Sequence, residues 1–186
     1  DMGIADDELV FLFVGQHIWE KGVGLIIDAL ALLKDIRFKM FFIGNGYACG
    51  EMKEKIEQYG LSDRIKLMGV LLDRSDIKRY YAAADLFLFP SMYDNAPLVL
   101  REAAAMHTPA ILLNGATASE VIVDGENGFL TENTVSGLAR KISFLAESPQ
   151  IIRLAGEAAS HTIARSWEDV VHEVVDRYRV IQKKIK

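Results

Sequence analysis

A regular alternation of short apolar runs with helical segments constrains the fold more than any other feature of this sequence. The first run, Leu9–Val14, is apolar without alternation, as expected of a strand buried on both faces of a parallel sheet. The alternation predicts an α/β fold, a Rossmann-like doubly wound parallel sheet of about six strands with helices on both faces. Strands are predicted at residues 9–14, 38–43, 65–68, 85–90, 110–113 and 129–131, and helices from residue 22 to about 34, at 51–59, 75–83, 134–145 and 149–164, and from Ser166 onward.

The most distinctive stretch is residues 90–105, which read PSMYDNAPLVLREAAA directly after the fourth predicted strand. The pattern predicts a tight polar loop and then a helix, with Asp94 and Asn95 as candidate caps and Pro97 in the first turn. The unpaired N–H groups at such a helix end form a ready anion site. Glu102 would lie roughly 8 Å beyond Pro97, about the length of a ribose from a diphosphate held at the helix end. On these residues alone, the segment is either a nucleotide site or a capped helix with a solvated Glu.

Three further loops follow predicted strands, at the positions where doubly wound sheets bind ligands. They are Gly15 to Gly22 after the first strand, Gly44 to Gly46 after the second, and Gly69 with Val70 after the third. Lys21 is either a phosphate-binding cation or a solvated residue at a helix start. Gly44 and Gly46 either allow a ligand to approach the backbone closely or simply make a turn.

Composition excludes several classes of protein. The net charge of -5 argues against a nucleic-acid-binding protein, which should be basic. Cys49 is the single cysteine, which leaves no disulfide framework or cysteine-based metal site and fits a reducing, cytoplasmic setting. No apolar run approaches the roughly 18 residues of a membrane span. The acidic opening is followed directly by a strand, so we expect a domain from a longer protein. Neither a complete dinucleotide fingerprint nor a P-loop occurs, which disfavours a dehydrogenase or a P-loop nucleotidase.

Asp94 and Glu102, followed by Ala103 and Ala104, resemble the E-x7-E signature of the group 1 (family 4) retaining glycosyltransferases of GT-B fold, here as Asp-x7-Glu. The resemblance extends in the family's motif order from Leu9 to about residue 181. It implies that residues 1–186 are a nucleotide-sugar-binding C-terminal domain, with the N-terminal acceptor domain absent from this chain. The implied reaction is retaining transfer of a hexosyl group from a UDP- or GDP-linked sugar to an acceptor hydroxyl, without a cofactor or a metal.

The resemblance also implies roles for individual residues. Lys21 would contact the diphosphate, Asp94 the transferred sugar and Glu102 the ribose, so Lys21 and Asp94 are the candidate catalytic residues. Backbone amides of the segment from Asn95 to Leu98 would hold the diphosphate. The candidate donor-binding residues are Gly15, Gln16, Gly44, Gly46, Val70, Asn95, Ala96, Pro97, Leu98 and Glu102.

Four positions depart from the family pattern. Gln16 stands where the family has Arg and can donate a hydrogen bond but no charge. Asp94 is one methylene shorter than Glu, so its carboxylate reaches roughly 1.5 Å less far, and misplacement of that order can cost about a hundredfold in rate. His107 replaces a glycine and is expected to take a left-handed conformation at a helix end. The family's glycine pair before the Glu120 segment is reduced to Gly115, and that segment is interpreted as structural support.

The last predicted helix begins at Ser166, with Asp169 placed to complete a capping box. Its apolar residues share one face, and in GT-B enzymes the matching helix crosses to the other domain, so we expect an exposed apolar stripe. These residues are Trp167, Val170, Val171, Val174, Tyr178 and Ile181. No histidine is assigned a catalytic role, and His161 and His172 are expected at the surface.

Two other functions remain open. A catalytically inactive nucleotide-sugar-binding module would be consistent with Gln16, and a GT-B-type sugar epimerase or phosphorylase would keep the fold and change the chemistry. The expected partners are the nucleotide-sugar donor, the missing N-terminal domain of the same polypeptide, and a glycan or lipid-linked acceptor in glycan biosynthesis. The expected location is cytoplasmic, or peripheral at the inner membrane face.

Overall fold

The computed structural model describes residues 2–95 and 97–185. Six strands form one sheet in the order β3-β2-β1-β4-β5-β6, and every neighbouring pair is parallel. The strands are β1 Leu9–Val14, β2 Phe38–Ile43, β3 Ile65–Gly69, β4 Leu86–Leu88, β5 Ala110–Leu113 and β6 Phe129–Thr131. The predicted doubly wound parallel sheet is therefore confirmed.

Helices cover both faces of the sheet. They are α1 Val23–Ala31, α2 Cys49–Gln58, α3 Arg74–Ala83, α4 Leu98–Ala105, α5 Val135–Ala146, α6 Pro149–Thr162 and α7 Trp167–Ile185. Helix α1 packs against α2 and α5, whereas α4 packs against α3 and α6. Because β1 lies between β2 and β4, the strand order reverses there, and ligands of such sheets bind in the crevice beyond the carboxyl ends at that point.

The core beneath this crevice is aromatic. Phe13, at the carboxyl end of β1, packs against Phe42 and Phe89, with ring centroids 5.7 and 6.2 Å away. All three side chains are almost fully buried, and each such burial stabilises the fold by about 1.5–3 kcal/mol. The loops that follow β1, β2 and β4 are therefore built on a rigid base.

Several predicted boundaries were wrong in informative ways. The first helix ends at Ala31 instead of continuing to about residue 34, and a 3₁₀ turn at Trp19–Lys21 precedes it. Strand β4 is shorter than the predicted 85–90, and Pro90 has no N–H to extend its ladder. The Glu120 segment forms the 3₁₀ turn Thr117–Val121.

The caps show where the predictions failed and where they succeeded. Helix α3, predicted to begin at residue 75, begins at Arg74 and is capped by Asp73, whose carboxylate accepts a bond from the Ser75 N–H at 2.8 Å. Ser148 precedes α6 without a side-chain cap bond. The predicted capping box of α7 is confirmed, since the Ser166 N–H donates to Asp169 at 3.2 Å and the Asp169 N–H donates to Ser166 Oγ at 3.0 Å.

His107 adopts the predicted left-handed conformation, with φ of 61°. An L-residue pays about 1–2 kcal/mol for this backbone shape, whereas glycine does not. We therefore expect His107→Gly to raise the free energy of unfolding in urea by about 0.5–1 kcal/mol. His107→Ala, which keeps the side-chain penalty, serves as the control and should give no gain. Equal stabilisation by both variants would contradict this account.

Candidate functional site

The loop after β1 carries Lys21 to the centre of the crevice. Gly22 makes this possible, because it has φ of 75° and a Cβ at this position would lie 2.4 Å from the Pro90 carbonyl oxygen. The loop thus packs directly against the backbone that leaves β4. Lys21 and Asp94 form an ion pair in which each side chain is only about one-fifth exposed, at 21% and 20%. The structure therefore brings the two candidate catalytic residues into direct contact.

Asp94 is held in place by Thr117, which the sequence did not single out. The Asp94 N–H donates to Thr117 Oγ1 at 2.8 Å, and the same hydroxyl donates to the Asp94 carbonyl at 2.9 Å. Thr117 itself is anchored through its N–H to the Met92 carbonyl at 3.1 Å. Since both sides of the Asp94 backbone bond to one hydroxyl, the 3₁₀ turn after β5 fixes the position of this carboxylate.

Helix α4 begins next to this ion pair. Pro97 occupies the N-cap position with an extended backbone instead of lying in the first turn as predicted, and it makes no side-chain cap bond. Asp94 was also proposed as a cap, but its carboxylate binds Lys21 instead. Leu98 is the first helical residue. The Leu100 N–H donates to the carbonyl of the N-cap Pro97 at 3.2 Å, so the Leu98 and Val99 N–H groups are the ones that open α4 without a partner within the helix. Ala96 lies outside the described residues.

Glu102 lies one helical turn after Leu98 and is exposed. Its Oε2 accepts a hydrogen bond at 3.1 Å from the hydroxyl of Tyr81, which is on α3 and 2% exposed. Burial and the negative charge of Glu102 raise the pKa of Tyr81 well above its ordinary value, so the hydroxyl keeps its proton and donates. No pattern in the sequence links Tyr81 with Glu102, because the two residues lie on different helices.

The loops after β1 and β2 support each other through backbone bonds. The Gly15 N–H donates to Ile43 at 3.0 Å, the His17 N–H to Asn45 at 2.9 Å, and the Ala48 N–H to the His17 carbonyl at 3.0 Å. A Cβ on Gly44 would lie 1.9 Å from the Gly15 oxygen, and one on Gly46 would lie 2.2 Å from the His17 oxygen. Both glycines are therefore required by the contact between the loops, whichever ligand binds there.

This steric requirement gives a testable expectation for Gly46→Ala. Its backbone φ is not positive, so the cost is purely the clash, which should lower the free energy of unfolding by about 1–3 kcal/mol. The matched control is Gly50→Ala, four residues on in α2, where a Cβ meets nothing within 4 Å. The control should leave stability unchanged or raise it by up to about 1 kcal/mol in the same denaturation assay. Equal effects would contradict the packing explanation.

The remaining predicted residues lie at the same edge of the sheet. Gln16 is exposed at the mouth of the first loop, and Val70, which is 60% exposed, follows β3. The Gly44 N–H donates to the Gly69 carbonyl at 2.8 Å and so joins the second loop to the third. A cavity of about 430 Å³ opens beside the first loop, between Trp19, Gly22, Pro90 and Asn133. The described candidate residues thus come from the segments that follow β1, β2, β3 and β4.

His17 lies within these loops but is fully buried. Burial lowers its pKa, and its Nδ1 is 3.2 Å from Cys49 Sγ. A buried neutral ring in this position supports the loops that surround it. His161 and His172 are exposed, as predicted.

Within residues 2–95 and 97–185, no group of three or more His, Cys, Asp or Glu side chains could hold a metal ion. In that same part of the chain, no helix has the length and apolar character needed to cross a bilayer. Helix α7 exposes five of the six residues of the predicted apolar stripe, including Trp167 at 74% and Tyr178 at 64%, and Val170 is half-buried.

Comparison with solved structures places this architecture among GT-B glycosyltransferases. Sucrose-phosphate synthase from Thermosynechococcus elongatus superposes with a TM-score of 0.84 at 23% identity, over 98% of this chain and 48% of that one. HepE from Anabaena, solved in complex with UDP and glucose, gives a TM-score of 0.81 at 26% identity, over 95% and 49% of the two chains.

The sequence family agrees with the fold. The family described as glycosyl transferases group 1 matches residues 1–162, and this chain belongs to it. The uncharacterized glycosyltransferase MJ1607 of Methanocaldococcus jannaschii is 25% identical over 96% of this chain and 47% of its own length. The chain therefore spans about half the length of the relatives it matches.

Proposed function

We propose that this chain is the donor-binding domain of a retaining glycosyltransferase that transfers a hexosyl group from a nucleoside diphosphate sugar to an acceptor hydroxyl. The observation that carries the proposal is the meeting of Lys21, Asp94 and the opening of α4 at the crevice where the strand order reverses. Because this chain spans about half the length of its relatives, we expect an N-terminal domain to supply the acceptor site. The stripe on α7 would then contact that domain.

The chemistry follows from where charge develops. The departing diphosphate gains negative charge in the transition state, and the α4 N–H groups, together with the Lys21 ammonium once it turns away from Asp94, would neutralise that charge. Because Gln16 stands where the family has Arg, these groups alone would neutralise the charge of the diphosphate. Asn95, Pro97 and Leu98, with Ala96, would supply the phosphate loop, and Gly15, Gln16, Gly44, Gly46 and Val70 would border the donor.

The Lys21–Asp94 ion pair adds a feature to this reaction. Asp94 neutralises Lys21 in this structure, so a diphosphate must compete with the carboxylate for the ammonium. Once Lys21 turns to the diphosphate, the Asp94 carboxylate is released to accept a hydroxyl of the transferred sugar. Asp94 then recaptures Lys21 as the nucleotide leaves, which favours product release.

UDP is the nucleotide we propose first, because HepE was solved with UDP and glucose. The test is calorimetric titration of this chain with UDP, GDP and ADP, and then with the glucose derivative of each. We expect one nucleotide to bind with clear preference, and the binding to be lost on raising the salt concentration. Equal affinity for all three, or binding insensitive to Glu102→Ala, would contradict the proposed site.

A second candidate function is a binding module without turnover. The uncharged Gln16 and the short Asp94 favour it, because both weaken the handling of the leaving group and the sugar. The intact polypeptide decides between the two. Nucleotide-sugar binding without transfer to any acceptor tested and without hydrolysis would favour the binding module. A glycosylated product of retained configuration would exclude it.

A further inference from the structure

We propose that Tyr81 is a positioning residue that holds the Glu102 carboxylate in place for the ribose hydroxyls of the bound nucleotide. This inference rests on the proposed function, because it assigns Glu102 to the ribose. The geometry that points to it is the 3.1 Å hydrogen bond from the Tyr81 hydroxyl on α3 to Glu102 Oε2 on α4. The two residues are 21 positions apart, so the contact exists only in the folded domain.

Tyr81 is itself rigidly held. Its side chain is 2% exposed, and its ring packs against Phe87 with centroids 5.8 Å apart. Its carbonyl oxygen accepts a bond at 2.7 Å from the hydroxyl of Thr108, which is also buried. A residue held by both its ring and its backbone delivers its hydroxyl to one place, so the acceptor that it binds is fixed as well.

Glu102 needs such support because it lies on the exposed side of a short helix. A free Glu samples many rotamers, and ordering it on ligand binding costs conformational entropy. One bond from Tyr81 leaves the carboxylate with most of its acceptor capacity, which is about four lone-pair sites. A preordered carboxylate can therefore accept from two ribose hydroxyls at once without a further ordering cost.

The neighbouring tyrosine provides a matched control. Tyr80 is on the same helix, packs against Phe41 with centroids 5.1 Å apart, and its hydroxyl faces Met68 Sδ at 4.0 Å. Tyr80→Phe and Tyr81→Phe each remove one hydroxyl and keep the ring. Only the second removes a donor to a carboxylate, so a difference between them isolates the proposed role.

The experiment is calorimetric titration of the chain with UDP and with 2′,3′-dideoxyuridine diphosphate, which lacks both ribose hydroxyls. We expect Tyr81→Phe to lower the affinity for UDP by about 3- to 10-fold and to leave the affinity for the dideoxy ligand unchanged. The lost hydrogen bond to a charged acceptor affects binding only through Glu102. Tyr80→Phe should change neither affinity. In a Glu102→Ala background, Tyr81→Phe should have no further effect on UDP.

A ligand-free measurement separates this inference from the proposed function. Three-bond couplings report the χ1 rotamer of Glu102 by NMR. A single rotamer in the unsubstituted chain and in Tyr80→Phe, with averaging in Tyr81→Phe, is the expected result. If no nucleotide binds, the proposed function fails and these couplings still decide whether Tyr81 positions Glu102. Averaging already present in the unsubstituted chain, or equal weakening of UDP and its dideoxy form by Tyr81→Phe, would overturn the inference.

Discussion

Asp94→Asn should lower the rate of sugar transfer by the intact enzyme by about 100- to 1000-fold, the loss typical of removing one group that stabilises a transition state. The same substitution should raise the affinity for UDP by roughly 2- to 5-fold, because Lys21 no longer has a competing carboxylate. Asparagine keeps the shape of the side chain, and the Thr117 bonds are to the Asp94 backbone, so the loop should keep its position. Transfer assays and calorimetry measure the two effects separately.

The sign of the affinity change is the informative part. If Asp94 were only a structural partner of Lys21, its loss would loosen the loop and lower the affinity for the nucleotide. Thr117→Val serves as a control for a loosened loop, because it removes the hydroxyl that holds Asp94 and leaves the charge. Weaker UDP binding by Asp94→Asn, of the same size as in Thr117→Val, would contradict the competition between carboxylate and diphosphate.

Lys21→Ala should have the opposite effect on binding and lower the affinity for UDP by roughly 10- to 100-fold, because a charge-assisted bond to a phosphate is lost. The substitution also leaves the Asp94 carboxylate without its cation, next to the position of the diphosphate, which adds repulsion. Calorimetry at low and high salt should show that the difference in UDP affinity between the unsubstituted chain and Lys21→Ala becomes smaller as ions screen the charges.

Lys39→Ala is the matched control for Lys21. Lys39 is in β2, faces Glu8 at 3.9 Å and is similarly buried, with 19% of its side chain exposed. It lies toward the amino ends of the strands, away from the crevice, so its loss should leave UDP affinity unchanged. A similar loss of UDP affinity in both variants would mean that general charge, and not a site at Lys21, attracts the nucleotide.

The sequence was sufficient for the sheet because each strand is a compact apolar run between turn residues. Five of the six strands begin at the predicted residue, since buried parallel strands leave a strong local signal. Loops after strands could also be assigned to one edge, because the carboxyl ends of parallel strands meet there. The strand pattern alone therefore predicts the edge of the sheet that bears Lys21, Asp94 and Glu102, and no interatomic distance is needed for it.

The partners of these residues were not predictable, because they depend on contacts between distant segments. Nothing local links Asp94 with Thr117 or Tyr81 with Glu102. Gly46 gave a similar ambiguity, since the sequence could not distinguish a close approach to a ligand from a close approach to another loop. The start of α3 was misplaced by one residue, because Asp73 and Ser75 are both good capping residues and the sequence does not show which of them takes the extended backbone of an N-cap.

The central claim is that a nucleoside diphosphate binds at the carboxyl edge of the sheet, between the Lys21 loop and the start of α4. Amide NMR of the labelled chain during titration with UDP tests it most directly. We expect the largest shifts at residues 15–21, at Val70, and at Asn95 and Leu98. Shifts confined to the cavity of about 510 Å³ beside β3, at Lys53 and Tyr80, would contradict the claim, as would saturating UDP that leaves the Lys21 loop unchanged.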